Sequence, residues 1–255
     1  MSSTFPLIDM LSEGLWSALV VFLRVAAALA TLPGLGEQVI SARVRIVIAL
    51  LLTAVVAPAV ALQIDLPAPS FNSFLLALAT ETLVGLFLGI TLRLFIMAMQ
   101  TAGAMAAQAT SLSQLLGQSG LDPLPALGHI LTFAALALMM ITGFHVKAAA
   151  FLVLSYDIMP PLQFPTPSDV AEAGRQQISE SFSLAFRLAA PFVILSVLYN
   201  LTLGVINKAM PQLMVAFVGA PVITFGAIAL LLISAPIMLA AWLHAFESFL
   251  AAPFR

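Results

Sequence analysis

The chain has 255 residues, of which 62% are hydrophobic and only 8% are charged. Soluble domains carry about 25% charged residues, so the composition excludes an ordinary water-soluble fold and predicts a polytopic membrane protein. The net charge of −2 argues against a nucleic-acid partner, and the absence of cysteine excludes disulfides and thiolate chemistry.

Six apolar segments have close to the roughly 20 residues that a helix needs to cross a bilayer. Only helices or closed barrels satisfy the backbone in lipid, and no alternation with a period of two is present. An all-α fold with about six hydrophobic helices is therefore predicted. The predicted spans are 15–32, 44–62, 74–99, 128–154, 182–206 and 221–250.

The first predicted span carries Arg24 near its centre. A charge at this depth usually faces the interior of a helix bundle, so burial against protein is favoured over snorkelling to the headgroups. The third span contains Glu81, Gly85 and Gly89, whose spacing of four residues places them on one helix face. The two glycines are predicted to form a seam at which another helix approaches closely.

Two interpretations of Glu81 are open at this point. It is either a proton or cation site, or a structural acid that bonds to Arg24 or to a neighbouring subunit. The structural interpretation is favoured because no second intramembrane acid accompanies it. Arg93 lies about 18 Å further along the same helix, so the two side chains are not expected to pair.

Segment 100–123 is rich in Ala, Gly, Ser, Thr and Gln and is nearly uncharged. It is too polar to face lipid and lacks the charges of a solvated loop, so a protein-lined, partly wet cavity is favoured. A plain cytoplasmic connector is the alternative. Further along, residues 156–181 form the longest polar connection, which contains four prolines and a short helical signal from Pro167. This connection separates four predicted spans from two.

The stretch 189–226 has features that a plain membrane anchor does not need. The amide of Asn200 requires a protein partner in hydrocarbon, and Gly204 allows another backbone to come close. Pro211 and Pro221 are expected to stop helices, which predicts a fixed turn or a short re-entrant element between them.

This stretch resembles the FliR family, the flagellar export-gate subunit whose counterpart in type III secretion injectisomes is SctT. The resemblance extends more weakly over most of the chain. It rests on a P-F, N-x-x-x-G, P-Q and F-x-G-x-P series, formed here by Pro191, Phe192, Asn200, Gly204, Pro211, Gln212, Phe217, Gly219 and Pro221.

The resemblance implies a four-plus-two arrangement. Residues 1–155 would form a FliP-like part, 156–181 the polar connection and 182–255 a FliQ-like hairpin. It also implies a non-enzymatic core subunit of the flagellar export gate in the bacterial inner membrane. Its implied partners are FliP-type and FliQ-type membrane subunits and FlhA- and FlhB-type export proteins, with secreted flagellar proteins as substrates.

Two groups of site residues follow from the pattern and the resemblance together. The plug that closes the export channel is expected at Thr110, Ser111, Leu112, Ser113 and Gln114. Roles in assembly and packing are expected for Arg24, Glu81, Gly85, Gly89, Asn200, Gly204, Pro211, Gln212, Gly219 and Pro221. The basic residues of the short loops favour an outside position for both termini.

The alternative functions are an injectisome export-gate subunit and a secondary membrane transporter. Transporters usually have related halves and clustered polar groups at the midplane, and the four-plus-two division and the single buried acid argue against that class. A third alternative, an intramembrane hydrolase, is disfavoured because the sequence lacks the catalytic residues that such an enzyme needs. His129, His145 and His244 lie on different segments and are expected to be structural, so no enzymatic activity, cofactor or metal is expected.

Overall fold

The computed structural model describes residues 6–37, 40–61, 63–109, 126–210 and 215–254. Every regular element within these ranges is an α-helix, which confirms the predicted all-α class. The helices are α1 (Pro6–Thr31), α2 (Ala42–Val60), α3 (Phe71–Ala109), α4 (Ala126–Ile141), α5 (Phe144–Ile158), α6 (Pro167–Ala209) and α7 (Val215–Ala251).

Most of these helices have the length and composition of membrane spans. Five candidate spans lie in α1, α2, α3, α6 and α7, and the α4–α5 pair forms a sixth that is bent by 75°. Many large apolar side chains are exposed on their surfaces, which suits a lipid environment. The prediction of a polytopic membrane protein with about six apolar helices is therefore confirmed.

The predicted span 128–154 is not one continuous helix. It breaks after Ile141, and Gly143 adopts φ +77°, a left-handed conformation that glycine reaches without steric cost. The amides of Val146 and Lys147 both donate to the Gly143 carbonyl oxygen, and α5 starts from there. The apolar pattern predicted one continuous span because hydropathy does not reveal one residue in a left-handed conformation.

Two helices are longer than predicted. α3 continues past Met99 to Ala109, through an alanine-rich segment with high helix propensity. α6 runs from Pro167 to Ala209, so the predicted short helix and the fifth span are one element, and only 159–166 are non-helical in the predicted connection 156–181. Pro167 is favourable in a first helical turn, where its missing N–H leaves no bond unmade, and Asp169 suits the helix dipole there.

The prediction that Pro221 ends a break is wrong, because α7 starts at Val215 and continues through Pro221. Pro211 and Gln212 themselves lie outside the described residues, and so do the five predicted plug residues.

The described residues group into two compact units. Unit 1 comprises the described residues within 1–93 and 142–175, and unit 2 comprises the described residues within 94–141 and 176–255. In unit 1, α2 contacts both α1 and α5, and a small core forms around Trp16, Val20 and Ala77. In unit 2, α4 contacts α7. Trp242 of α7 is fully buried there and donates from its indole nitrogen to the Phe95 carbonyl oxygen at 2.8 Å.

Candidate functional site

A fully buried ion pair lies inside unit 1. Arg24 of α1 donates from Nε to the Oε2 atom of Glu81 in α3 at 2.7 Å, and both side chains are 0% exposed. The charges neutralise each other at a depth where an unpaired charge would be costly. The structure thus shows the bond to Arg24 that the structural interpretation of Glu81 predicted.

Two glycines bring the backbones of α1 and α3 together beside this pair. A Cβ atom added to Gly85 would collide with the Arg24 carbonyl oxygen and lie 2.8 Å from the Ala27 Cβ atom. One added to Gly89 would collide with the Thr31 hydroxyl. Any larger residue would separate the helices, so Gly85 and Gly89 allow Glu81, one turn earlier, to reach Arg24.

The guanidinium group of Arg24 binds two further acceptors. Its Nη1 atom donates to the Ser155 hydroxyl at 3.1 Å, and its Nη2 atom donates to the Met159 carbonyl oxygen at 2.9 Å. The Tyr156 ring lies over the guanidinium, with its centroid 3.7 Å from Cζ. Arg24 therefore joins α1 to α3, to α5 and to the residues that follow α5.

The second carboxylate oxygen of Glu81 is also occupied. It accepts a hydrogen bond from the backbone N–H of Leu162 at 3.0 Å. Leu162 has φ +57°, which is uncommon for a residue with a side chain. Both carboxylate oxygens thus have protein donors, an arrangement that fits a structural acid better than a binding site for an external cation.

Sequence reasoning missed the partners of Arg24 and Glu81 in and after α5. Ser155, Tyr156, Met159 and Leu162 carry no local signal of a polar site, and two of them contribute only backbone atoms. The Tyr156 hydroxyl is buried without a hydrogen-bond partner among the described residues. Pro160 and Pro161 lie in the predicted polar connection, but nothing in the sequence linked that connection to Arg24.

Asn200 and Gly204 lie on the exposed surface of α6. The Asn200 amide donates to the Ser196 hydroxyl of its own helix at 3.2 Å, and its carbonyl oxygen has no donor among the described residues. A Cβ atom added to Gly204 would meet nothing within 4 Å. The side chains around them are apolar and more than half exposed, as shown by Val197, Leu201 and Val205. We call the surface formed by these five residues the α6 face.

Gly103 and Gly128 form a second close contact, in unit 2, that the sequence analysis did not predict. A Cβ atom on Gly103 would collide with the Gly128 Cα atom and lie 3.0 Å from its nitrogen. A Cβ atom on Gly128 would meet nothing closer than 3.7 Å. The last turns of α3 therefore touch the first turn of α4 backbone to backbone.

Of the remaining predicted site residues, only Gly219 and Pro221 lie within the described part of the chain. Gly219 and Pro221 lie within the first turns of α7. Over the part of the chain that the structure describes, no group of three or more His, Cys, Asp or Glu side chains is arranged to hold a metal ion.

Comparisons with known proteins agree on one family. The sequence profile described as "Bacterial export proteins, family 1" matches residues 15–249. The chain is 36% identical over 220 residues to the flagellar biosynthetic protein FliR of Caulobacter vibrioides, covering 85% of this chain and 87% of that protein. It is 30% identical to FliR of Escherichia coli K12, over 78% of this chain and 76% of the relative.

A more distant relative extends the similarity beyond these two proteins. FliR of Bacillus subtilis is 28% identical over 214 residues, which cover 80% of each chain. Together with the apolar helices, these matches identify a multi-pass inner-membrane component of flagellar protein export. The chain belongs to the FliR family of bacterial export proteins.

Proposed function

We propose that this chain is a non-enzymatic core subunit of the flagellar type III export gate, in which it forms part of the export channel and its plug. The observation that carries the proposal is the α6 face, where an amide and a glycine interrupt an exposed apolar helix surface. The flagellar system is favoured over an injectisome because the relatives compared above carry flagellar names.

The α6 face has the chemistry of a helix-docking surface. An exposed apolar surface alone would suit lipid, but the Asn200 carbonyl oxygen has no donor within the described chain. Hydrocarbon cannot supply one. The open space above Gly204 allows the backbone of another helix to approach closely. A transmembrane helix of a neighbouring subunit meets both needs.

The partners that fit this surface are FliP-type and FliQ-type membrane subunits, with FlhA- and FlhB-type proteins completing the apparatus. A secondary transporter fits less well. Its site would need polar groups available to a substrate, whereas the buried charges of unit 1 are bonded to one another and to the backbone. Secreted flagellar proteins are the proposed substrates.

The proposed plug consists of Thr110, Ser111, Leu112, Ser113 and Gln114. These residues follow α3 directly, and the contact between Gly103 and Gly128 holds the two helices that flank segment 110–125 close together. Neutral polar contacts across a channel contribute about 1 kcal/mol each, so an arriving substrate can displace them. The plug is thus proposed to close the channel without blocking export.

Co-purification tests the proposed assembly. The tagged chain is expected to bring down small multi-copy membrane subunits, and Gly204→Leu is expected to lower their recovery. Gly14→Leu is the matched control, because a Cβ atom on that helical glycine also meets nothing within 4 Å. Equal recovery of the partner subunits from both variants would show that the α6 face does not take part in assembly.

Deletion of residues 110–114 tests the proposed plug. We expect the complex to assemble and the membrane to become permeable to ions or a small dye. Replacing the same five residues with alanine keeps the segment length and removes the polar side chains. A tight membrane in both variants, with normal assembly, would show that this stretch is only a connector.

A further inference from the structure

We propose that Arg24 and Glu81 serve to hold the turn formed by residues 159–162, and that their charges carry neither a proton nor a cation through the protein. This inference rests on the geometry of unit 1 and is independent of the proposed channel. It assigns the ion pair a positioning role for the chain segment that connects α5 to α6.

Each member of the pair binds one end of the turn. Arg24 donates to the Met159 carbonyl oxygen at 2.9 Å, and Glu81 accepts from the Leu162 N–H at 3.0 Å. Between them lie Pro160 and Pro161, which have no N–H to donate. The two charged side chains therefore satisfy backbone groups on both sides of a segment that has few hydrogen bonds of its own to make.

The turn needs such support because its backbone is strained. Leu162 adopts φ +57°, a conformation that persists in a non-glycine residue only when its surroundings impose it. The Leu162 side chain also packs against the core formed by Trp16, Val20 and Ala77. The amide and the side chain of Leu162 are thus both fixed by residues of α1 and α3. The ion pair and this core therefore support the turn together.

The shape of the guanidinium group explains why arginine occupies position 24. Its three nitrogens bind three separate acceptors, on Glu81, Ser155 and Met159. A lysine ammonium is a compact point charge without this planar fork. If the pair served only to cancel two charges, lysine would suffice, whereas binding all three acceptors at once requires the fork.

Hydrogen–deuterium exchange of the purified chain tests the positioning role directly. The Leu162 amide, followed in peptides that span residues 159–164, is expected to exchange about tenfold faster or more in Glu81→Ala, because its acceptor is gone. Glu37→Ala is the control, since the Glu37–Arg93 pair is partly exposed and joins the loop after α1 to α3. Unchanged exchange in Glu81→Ala would overturn the proposal.

A double variant distinguishes a role of the ion pair in holding the turn from a role in transporting charge. Arg24→Gln with Glu81→Gln removes both charges but leaves an N–H donor for the Met159 carbonyl oxygen and a carbonyl oxygen that can accept from Leu162. We expect protected Leu162 exchange and retained motility in the double variant, and lower protein yield in either single variant, which buries one unpaired charge. Loss of Leu162 protection in the double variant would overturn the proposal, and so would loss of motility with protection intact.

Discussion

The ion pair of unit 1 and the α6 face of unit 2 place polar groups on apolar helices in opposite ways. Arg24 and Glu81 find all their partners inside the chain and are completely buried. Asn200 has one hydrogen bond, to its own helix, and Gly204 faces open space. Polarity in a membrane helix therefore has two uses here, one that completes the fold and one that we propose leaves a surface for another protein. Substitutions in the two regions should accordingly affect different measurements.

The largest effect is expected from breaking the ion pair on one side only. Arg24→Ala leaves the Glu81 carboxylate buried and unpaired, which costs about 3–5 kcal/mol in comparable pairs. We expect the yield of monodisperse protein and its thermal unfolding temperature in detergent to fall sharply. Glu81→Ala should have an effect of similar size. A well-folded Arg24→Ala protein would show that the pair does not support the fold.

The seam between α1 and α3 should give the next largest effect. Gly89→Ala forces a methyl group into the Thr31 hydroxyl and close to the Ala28 carbonyl oxygen. Overpacking of this kind costs about 1–3 kcal/mol, so the thermal unfolding temperature of the isolated chain should fall. Gly204→Ala is the matched substitution on the α6 face. It should leave the unfolding temperature unchanged or raise it slightly, because alanine is the better helix former.

A third pair of substitutions tests the asymmetry of a single contact. Gly103→Ala is expected to lower the unfolding temperature of the isolated chain, since its methyl group would collide with the Gly128 backbone. Gly128→Ala should be tolerated, because its methyl group would make only ordinary contacts. Equal effects of the two changes, measured in parallel by thermal unfolding, would contradict the close approach of α3 and α4 at this point.

The smallest effect is expected at Asn200. Hydrogen bonds between membrane helices contribute about 0.6 kcal/mol on average, so Asn200→Leu should reduce the recovery of partner subunits only modestly. The unfolding temperature of the isolated chain should not change. Val197→Ala, on the same face, is the control for a general loss of apolar surface. If Asn200→Leu destabilised the isolated chain instead, the contrast between the two regions would not hold.

Sequence reasoning reached the parts of the site that depend on spacing along one helix. The burial of Arg24, and the shared face of Glu81, Gly85 and Gly89, follow from hydropathy and a period of 3.6 residues. The acceptors on Ser155 and Met159 could not be predicted, because they lie more than 130 positions from Arg24 and one of them is a backbone oxygen. Such contacts are set by tertiary packing, which leaves no local pattern.

The fold shows the same limit. The number and apolar character of the spans were predictable because they depend on composition over long windows. The break at Gly143 depends on the backbone conformation of a single residue. The helix α6 is continuous because the helix propensity of its first residues outweighs their polar composition, which had indicated a connection. The helix-stopping effect of proline was overestimated at Pro221, which lies inside α7.

The order of the hydrogen-bond partners along the chain has a consequence for biosynthesis. Arg24 is synthesised before its partners, because Glu81 follows 57 residues later and the Met159 carbonyl 135 residues later. At a synthesis rate of about 5–20 residues per second, the arginine waits many seconds for its last partner. Until Glu81 has been made, α1 is held in the membrane or the insertion machinery with an unneutralised charge. Insertion of the first helix and completion of its hydrogen bonds are therefore separate events, and translation through residue 162 sets the earliest moment at which unit 1 can mature.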